Sequence, residues 1–269
     1  MKTEGDRVTR GGMLTERFDD AVAYALAAHD DQRRKGSSVP YAAHLLGVAS
    51  TVLEAGGTES EAIAGLLHDV VEDQGGADRL ADVLARFGPE IATVVHECSA
   101  DDKTDDPGWR ARKERYIAGL ATCSDSALLV SLADKVYNAR AILDDYRAIG
   151  PSVWSRFGAD EPKDETILWY YRSLYTAYSA RPEAPRRLLA ELGRTIAQLE
   201  LLTQRPPCPD CRAGDVAVIV WGLPTLDDFE TAFDWGVELG GCIVPEVAPD
   251  FRCQVCGFAW ATSERGRHA

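Results

Sequence analysis

The stretch Leu66-Leu67-His68-Asp69-Val70-Val71-Glu72-Asp73 decides how the rest of this chain is read. An imidazole stands beside a carboxylate, two more acids follow one helical turn later, and the flanking residues are apolar enough for a core. Ionisable groups in a core are costly unless they are paired or hold a cation. Read as one continuous helix, the segment puts His68 with Glu72 and Asp69 with Asp73, each pair sharing a face. Neighbouring positions are about 100° apart around the axis, so His68 and Asp69 can grip one ion together. The pattern points to a metal site on a buried helix.

Helical patterning extends outward from this stretch over residues 15 to 204. Thr15 is placed to cap a first helix with Phe18, Val22, Ala25 and Leu26 on one face and an end near Lys35-Gly36. A second helix follows Pro40 through His44, Val48 and Val52 to Gly56-Gly57. Thr58-Glu59-Ser60-Glu61 fits a capping box and opens the helix that carries His68. Further helices are expected over 78–87, 89–98, 110–122, 126–148, 164–180 and 184–204, with a polar, acidic loop from Ser99 to Trp109. At Arg205-Pro206-Pro207 the character changes. Val216–Trp221, 240–244 and 251–258 are short, rich in β-branched or aromatic residues and bounded by Gly and Pro, as strands are. The expected fold is an all-α helical bundle over 14–204 followed by a small β-rich domain over 206–262.

Composition narrows the function. A formal charge of −14 disfavours binding to a polyanion, and the acidic Asp227, Asp228 and Glu230 argue against nucleic acid as a partner of the tail. No apolar run reaches the ~18 residues of a membrane span, and the N-terminus lacks a signal sequence, so a cytoplasmic location is expected. Of the seven cysteines, Cys208, Cys211, Cys253 and Cys256 form two Cys-x-x-Cys pairs. Four thiolates close a tetrahedral zinc sphere. The tail therefore resembles a zinc ribbon with a long insertion, serving to dock a protein partner, to form a dimer or to act as a lid. Cys242 is assigned to packing.

Two more donors lie elsewhere. His44 follows Pro40-Tyr41, and Asp134 ends the otherwise apolar Leu128-Leu129-Val130-Ser131-Leu132-Ala133 run, with Asn138 one turn on. Two imidazoles and two carboxylates suit manganese or iron. Four blocks carry a family resemblance: Ala28-His29-Asp30-Asp31-Gln32-Arg33-Arg34-Lys35-Gly36, Pro40-Tyr41-Ala42-Ala43-His44, the stretch from Leu66 to Asp73, and Leu132-Ala133-Asp134-Lys135-Val136-Tyr137-Asn138-Ala139-Arg140. In order and spacing they resemble the HD hydrolase domain of RelA/SpoT homologues and small alarmone hydrolases, over about residues 14–180. The resemblance implies an HD-domain bundle and manganese-dependent removal of the 3′-pyrophosphate of (p)ppGpp. It implies His44, His68, Asp69 and Asp134 as metal ligands, and Glu72 and Asp73 as the acids beside the attacking water. Arg34 and Lys35 match a basic pair near the substrate phosphates, and Tyr41 and Asn138 match positions lining the nucleotide pocket. Leu45 and Gln74 stand where the family usually has proline and threonine.

The residue chemistry points the same way. A divalent ion acidifies bound water, a nearby carboxylate orients it, and a basic pair holds phosphate oxygens. In Ile167-Leu168-Trp169-Tyr170-Tyr171-Arg172, Tyr171 and Arg172 are candidates to stack a purine and hold a phosphate. A phosphorylated guanine or other purine nucleotide is the expected substrate. Two alternatives stay open: a related nucleotide phosphatase releasing orthophosphate, and a non-catalytic alarmone-binding sensor.

Overall fold

Side-chain caps set two of the helix starts. The computed structural model describes residues 14–99, 108–222, 236–245 and 248–261, excluding the side chains of residues 73 and 74. The acidic residues Asp227, Asp228 and Glu230, and most of the loop expected after Ser99, lie outside the described residues. Thr15 caps α1 (Glu16–Ala28) by accepting the Arg17 N–H. After α2 (Ala42–Glu54), Thr58 and Glu61 close a reciprocal capping box on α3 (Glu59–Leu67). The remaining helices are α4 (Val70–Gln74), α5 (Gly76–Phe87), α6 (Pro89–Cys98), α7 (Trp109–Gly119), α8 (Asp125–Ile149), α9 (Lys163–Ser179) and α10 (Arg186–Thr203).

Two helix expectations are corrected. The first helix ends at Ala28, not near Gly36: His29 leaves helical geometry at φ −114° and ψ 26°, and its ring is buried. Residues 29–41 instead form a loop closed by the Arg33–Pro40 bridge, and Ala21 with Ala25 takes the buried face where Leu26 was expected. The second correction falls on the opening stretch. His68 and Asp69 form a turn between α3 and α4, so the helix is interrupted at the two residues that carry the chemistry.

The chain divides into two compact units, one of residues 1–137 with 173–191, the other of 138–172 with 192–269. The composition change at 205 falls within the second. In the first unit α3 is the centre: Ala62 to Leu67 are all buried, and the helix packs on α1, α2 and α6. Gly65 faces α2, where an added Cβ would meet Ala49 Cα at 3.4 Å, in ordinary van der Waals contact. Apolar burial of this kind is the main source of stability.

The second unit holds a sheet ordered β2-β1-β3-β4. Strand β1 (Val216–Trp221) runs parallel to β2 (Val237–Gly241) and antiparallel to β3 (Phe251–Cys253), which pairs with β4 (Ala259–Trp260). The strand expected at 240–244 lies earlier, because Gly241 at φ 99° ends it, and Cys242 is exposed, not packed. The run expected over 251–258 is divided by a turn after Cys253. The sheet is tied to helices of its own unit. Arg205 Nη1 donates to Val216 O at 2.6 Å and Gly236 O at 3.1 Å, and Asp215 N–H donates to Arg147 O at 3.1 Å. Among the described residues no helix is long and apolar enough to cross a membrane.

Candidate metal centre

Three helices of the first unit bring their donors to one point. His44 comes from the first turns of α2, His68 and Asp69 from the turn between α3 and α4, and Asp134 from the middle of α8. The donor atoms of His44, His68 and Asp134 lie within 4.8 Å of one another, all on buried residues. The two Nε2 atoms are 3.3 Å apart. Asp69 Oδ2 lies 3.2 Å from His44 Nε2 and 3.0 Å from His68 Nε2, and Asp134 Oδ1 lies 3.4 and 3.6 Å from the same nitrogens. Ligands about 2.1 Å from a metal stand about 3.0–3.4 Å apart in octahedral and tetrahedral arrangements. The set therefore has the size of a coordination sphere.

The surrounding contacts fix the donors. His68 Nδ1 lies 2.8 Å from Gly65 O, so a proton on Nδ1 serves the carbonyl and the Nε2 lone pair faces the centre. Tyr41 donates its hydroxyl to Asp69 Oδ2 at 2.5 Å, and Lys135 donates to Asp134 Oδ2, leaving Oδ1 for the centre. Burial holds the His44 imidazole below its usual value. It opposes charge on His68 too, but Asp69 and Asp134 outweigh it and hold that imidazole well above its usual value. Burial also opposes ionisation of Asp134 and Asp69, yet Lys135 and His68 hold Asp134, and the two histidines hold Asp69, well below the usual carboxylate range. Two ionised carboxylates facing two imidazoles suit a divalent cation, which takes the place of the imidazole proton.

Glu72 lies in α4, one turn beyond His68, and is exposed, whereas the Asp73 side chain lies outside the described residues. Arg34 and Lys35 sit in the loop after α1. The Arg34 guanidinium lies 5.6 Å from the Tyr137 ring centroid, and Lys35 is exposed. Asn138 follows Asp134 by one turn of α8. Tyr171 and Arg172 belong to the second unit, where Tyr171 is buried edge-on to Tyr170 and Arg172 pairs with Glu200. Sequence reasoning missed Lys135, Lys113 and His29. Lys113, on α7, is pushed down to about 8 by burial and by Lys135, with Glu72 and Asp134 pulling the other way. A lysine beside a ligand aspartate was a readable signal for Lys135, but nothing local marks Lys113.

The second donor set is in the tail. Cys208, Cys211, Cys253 and Cys256 place their sulfurs within 4.8 Å of one another. Two matching turns hold them. Arg212 N–H donates to Cys208 O and Gly257 N–H to Cys253 O, both at 2.9 Å, with φ of 65° and 78° at Arg212 and Gly257. Such paired knuckles present four sulfurs in the arrangement of a closed structural site.

A buried histidine–aspartate centre on a helical bundle defines a metal-dependent phosphohydrolase of the HD class. The family model described as an HD domain matches residues 21–159, and the chain belongs to that family. A relative from Homo sapiens, named guanosine-3′,5′-bis(diphosphate) 3′-pyrophosphohydrolase MESH1, is 37% identical over 180 residues, covering 66% of this chain and 95% of the relative. The relative of that name from Mus musculus is 34% identical with the same coverage. A solved structure of a metazoan orthologue of SpoT that hydrolyses ppGpp superposes with a TM-score of 0.57 at 28% identity, over 68% of this chain and 96% of that one.

Proposed function

We propose that this chain is a (p)ppGpp 3′-pyrophosphohydrolase, with manganese held by His44, His68, Asp69 and Asp134 and structural zinc held by the four cysteines. The observation that carries this reading is the convergence of two Nε2 atoms and carboxylate oxygens 3.0–3.6 Å apart. The activity named for the relatives supports the choice of substrate.

Bound there, a divalent ion supplies an acidified water and neutralises charge on the transferring phosphoryl group. The chain supplies the rest. Water attacks the phosphorus attached to the 3′-oxygen, the bond from that oxygen to phosphorus breaks, and the oxygen leaves to take a proton. Glu72 and Asp73 are assigned to orient the water and accept its proton. Arg34 and Lys35 hold phosphate oxygens through charge-assisted bonds. Tyr41 and Asn138 are assigned to the nucleotide.

The test is product analysis. With ppGpp and Mn2+, the purified chain is expected to yield GDP and pyrophosphate in equal amounts, followed by ion-exchange chromatography and 31P NMR. Release of orthophosphate would show the nucleotide-phosphatase alternative instead. Tight ppGpp binding without turnover would show a sensor. The zinc assignment predicts one Zn2+ per chain on release with a thiol-reactive mercurial and a colorimetric chelator.

A further inference from the structure

Tyr41 ties the loop after α1 to the metal centre. The Asp69 oxygen that accepts its hydroxyl at 2.5 Å is the one lying 3.2 and 3.0 Å from the two imidazole nitrogens. The Tyr41 ring is held on two sides. It stacks on His29, with centroids 5.1 Å apart and planes at 26°, and meets His44 edge-on at 5.2 Å. His29 is fixed in turn: its Nδ1 lies 2.7 Å from Gln32 Oε1, while the Gln32 carbonyl accepts the Tyr41 N–H at 2.9 Å. His29 is only 4% exposed, and its Nε2 has no hydrogen-bond partner among the described residues. A buried polar atom without a partner costs stability, and an apolar ring would fill the space without that cost. What the imidazole adds is its bond to Gln32, which sets the plane against which Tyr41 rests.

We propose that Tyr41 is a positioning residue for the metal ligand Asp69, with His29 and Gln32 as the brace that holds it. The proposal rests on the reading of Asp69 as a ligand and gives Tyr41 a task beyond lining a nucleotide pocket. An aspartate rotates easily about its last bond. A donor fixed to one side of Oδ2 selects the rotation that presents that oxygen to the ion, as partners of metal ligands do. Arg34 and Lys35 lie between His29 and Tyr41 in sequence, so the brace also fixes the loop that carries the basic pair.

The test is Mn2+ titration of the full chain without nucleotide, reading free Mn2+ by electron paramagnetic resonance. The four thiols do not compete, since soft ligands disfavour Mn2+. Tyr41→Phe, which removes one oxygen, should weaken Mn2+ binding about 10–100-fold. His29→Ala should move it in the same direction, and His29→Phe, which keeps the stack but loses the bond to Gln32, should weaken it less than His29→Ala does. Thermal melts identify a variant that has not folded, in which case Tyr41→Phe decides. Wild-type Mn2+ affinity in Tyr41→Phe, with only KM for ppGpp raised, would overturn the proposal. Because no nucleotide is present, a wrong substrate assignment leaves the titration unaffected, and the two failures are distinguishable.

Discussion

Gly47→Ala sets two effects of opposite sign against each other. Gly47 lies inside α2, where alanine in place of glycine ordinarily stabilises by about 1 kcal/mol. A Cβ at this position, however, would meet the Tyr137 ring, with Cδ2 at 2.6 Å and Cζ at 2.8 Å. That ring is held on two sides, because its hydroxyl donates to Ala43 O at 3.0 Å and it meets the tilted His44 ring with centroids 5.2 Å apart. Overpacking costs about 1–3 kcal/mol and a lost hydrogen bond about 1 kcal/mol. The clash therefore wins, and a net loss of about 1–3 kcal/mol is expected. Urea unfolding of the full chain measures it, read as a lower midpoint at constant slope. In a Tyr137→Ala background the same substitution should become stabilising by about 1 kcal/mol, since only the helix preference remains. A Gly47→Ala protein as stable as wild type or more so would refute the reasoning.

Three other outcomes follow from the same contacts. Asp134→Ala should lower both Mn2+ affinity and kcat/KM by more than about 100-fold, exceeding what loss of a mere partner of a ligand costs, in a protein whose circular dichroism is unchanged. Arg212→Gly should raise Tm, because Arg212 holds φ 65° on an exposed turn and relief of that conformation is worth about 1 kcal/mol; a lower Tm would show that the arginine side chain supports the knuckle. Lys113, pushed down to about 8 from 10.5, binds fewer protons folded than unfolded between those values, so stability should rise as pH climbs through that window. Lys113→Met should flatten this slope in urea titrations and stabilise the protein at pH 7 by about 1–3 kcal/mol.

Local signals carried far in this chain. The Thr58–Glu61 capping box and Pro89 at the start of α6 are decided by backbone groups within one turn, and both are where the sequence puts them. Chain stops away from such caps were harder to place. α1 ends at Ala28 because His29 turns its ring inward against Tyr41, twelve positions later, and no neighbour in sequence reports that stack. The interruption at His68 and Asp69 is also unmarked in the sequence. Both residues keep near-helical torsions, with φ of −58° and −96°, so the sequence has no breaker to display there.

The amino-acid order determined which atoms are available: two imidazoles, two aspartates and four thiols, on segments whose periodicity is helical in one part and strand-like in the other. Folding decided which of them meet, because distances of 3.0–3.6 Å between His44, His68, Asp69 and Asp134 depend on how α2, α3 and α8 pack, and on a glycine at 47 that leaves room for the Tyr137 ring. Folding also decided the outer contacts, Tyr41 on Asp69, Lys135 on Asp134 and Gly65 under His68. Donor chemistry belongs to single residues and is written in the chain. The aim of a donor belongs to its neighbours in space, and only packing supplies those.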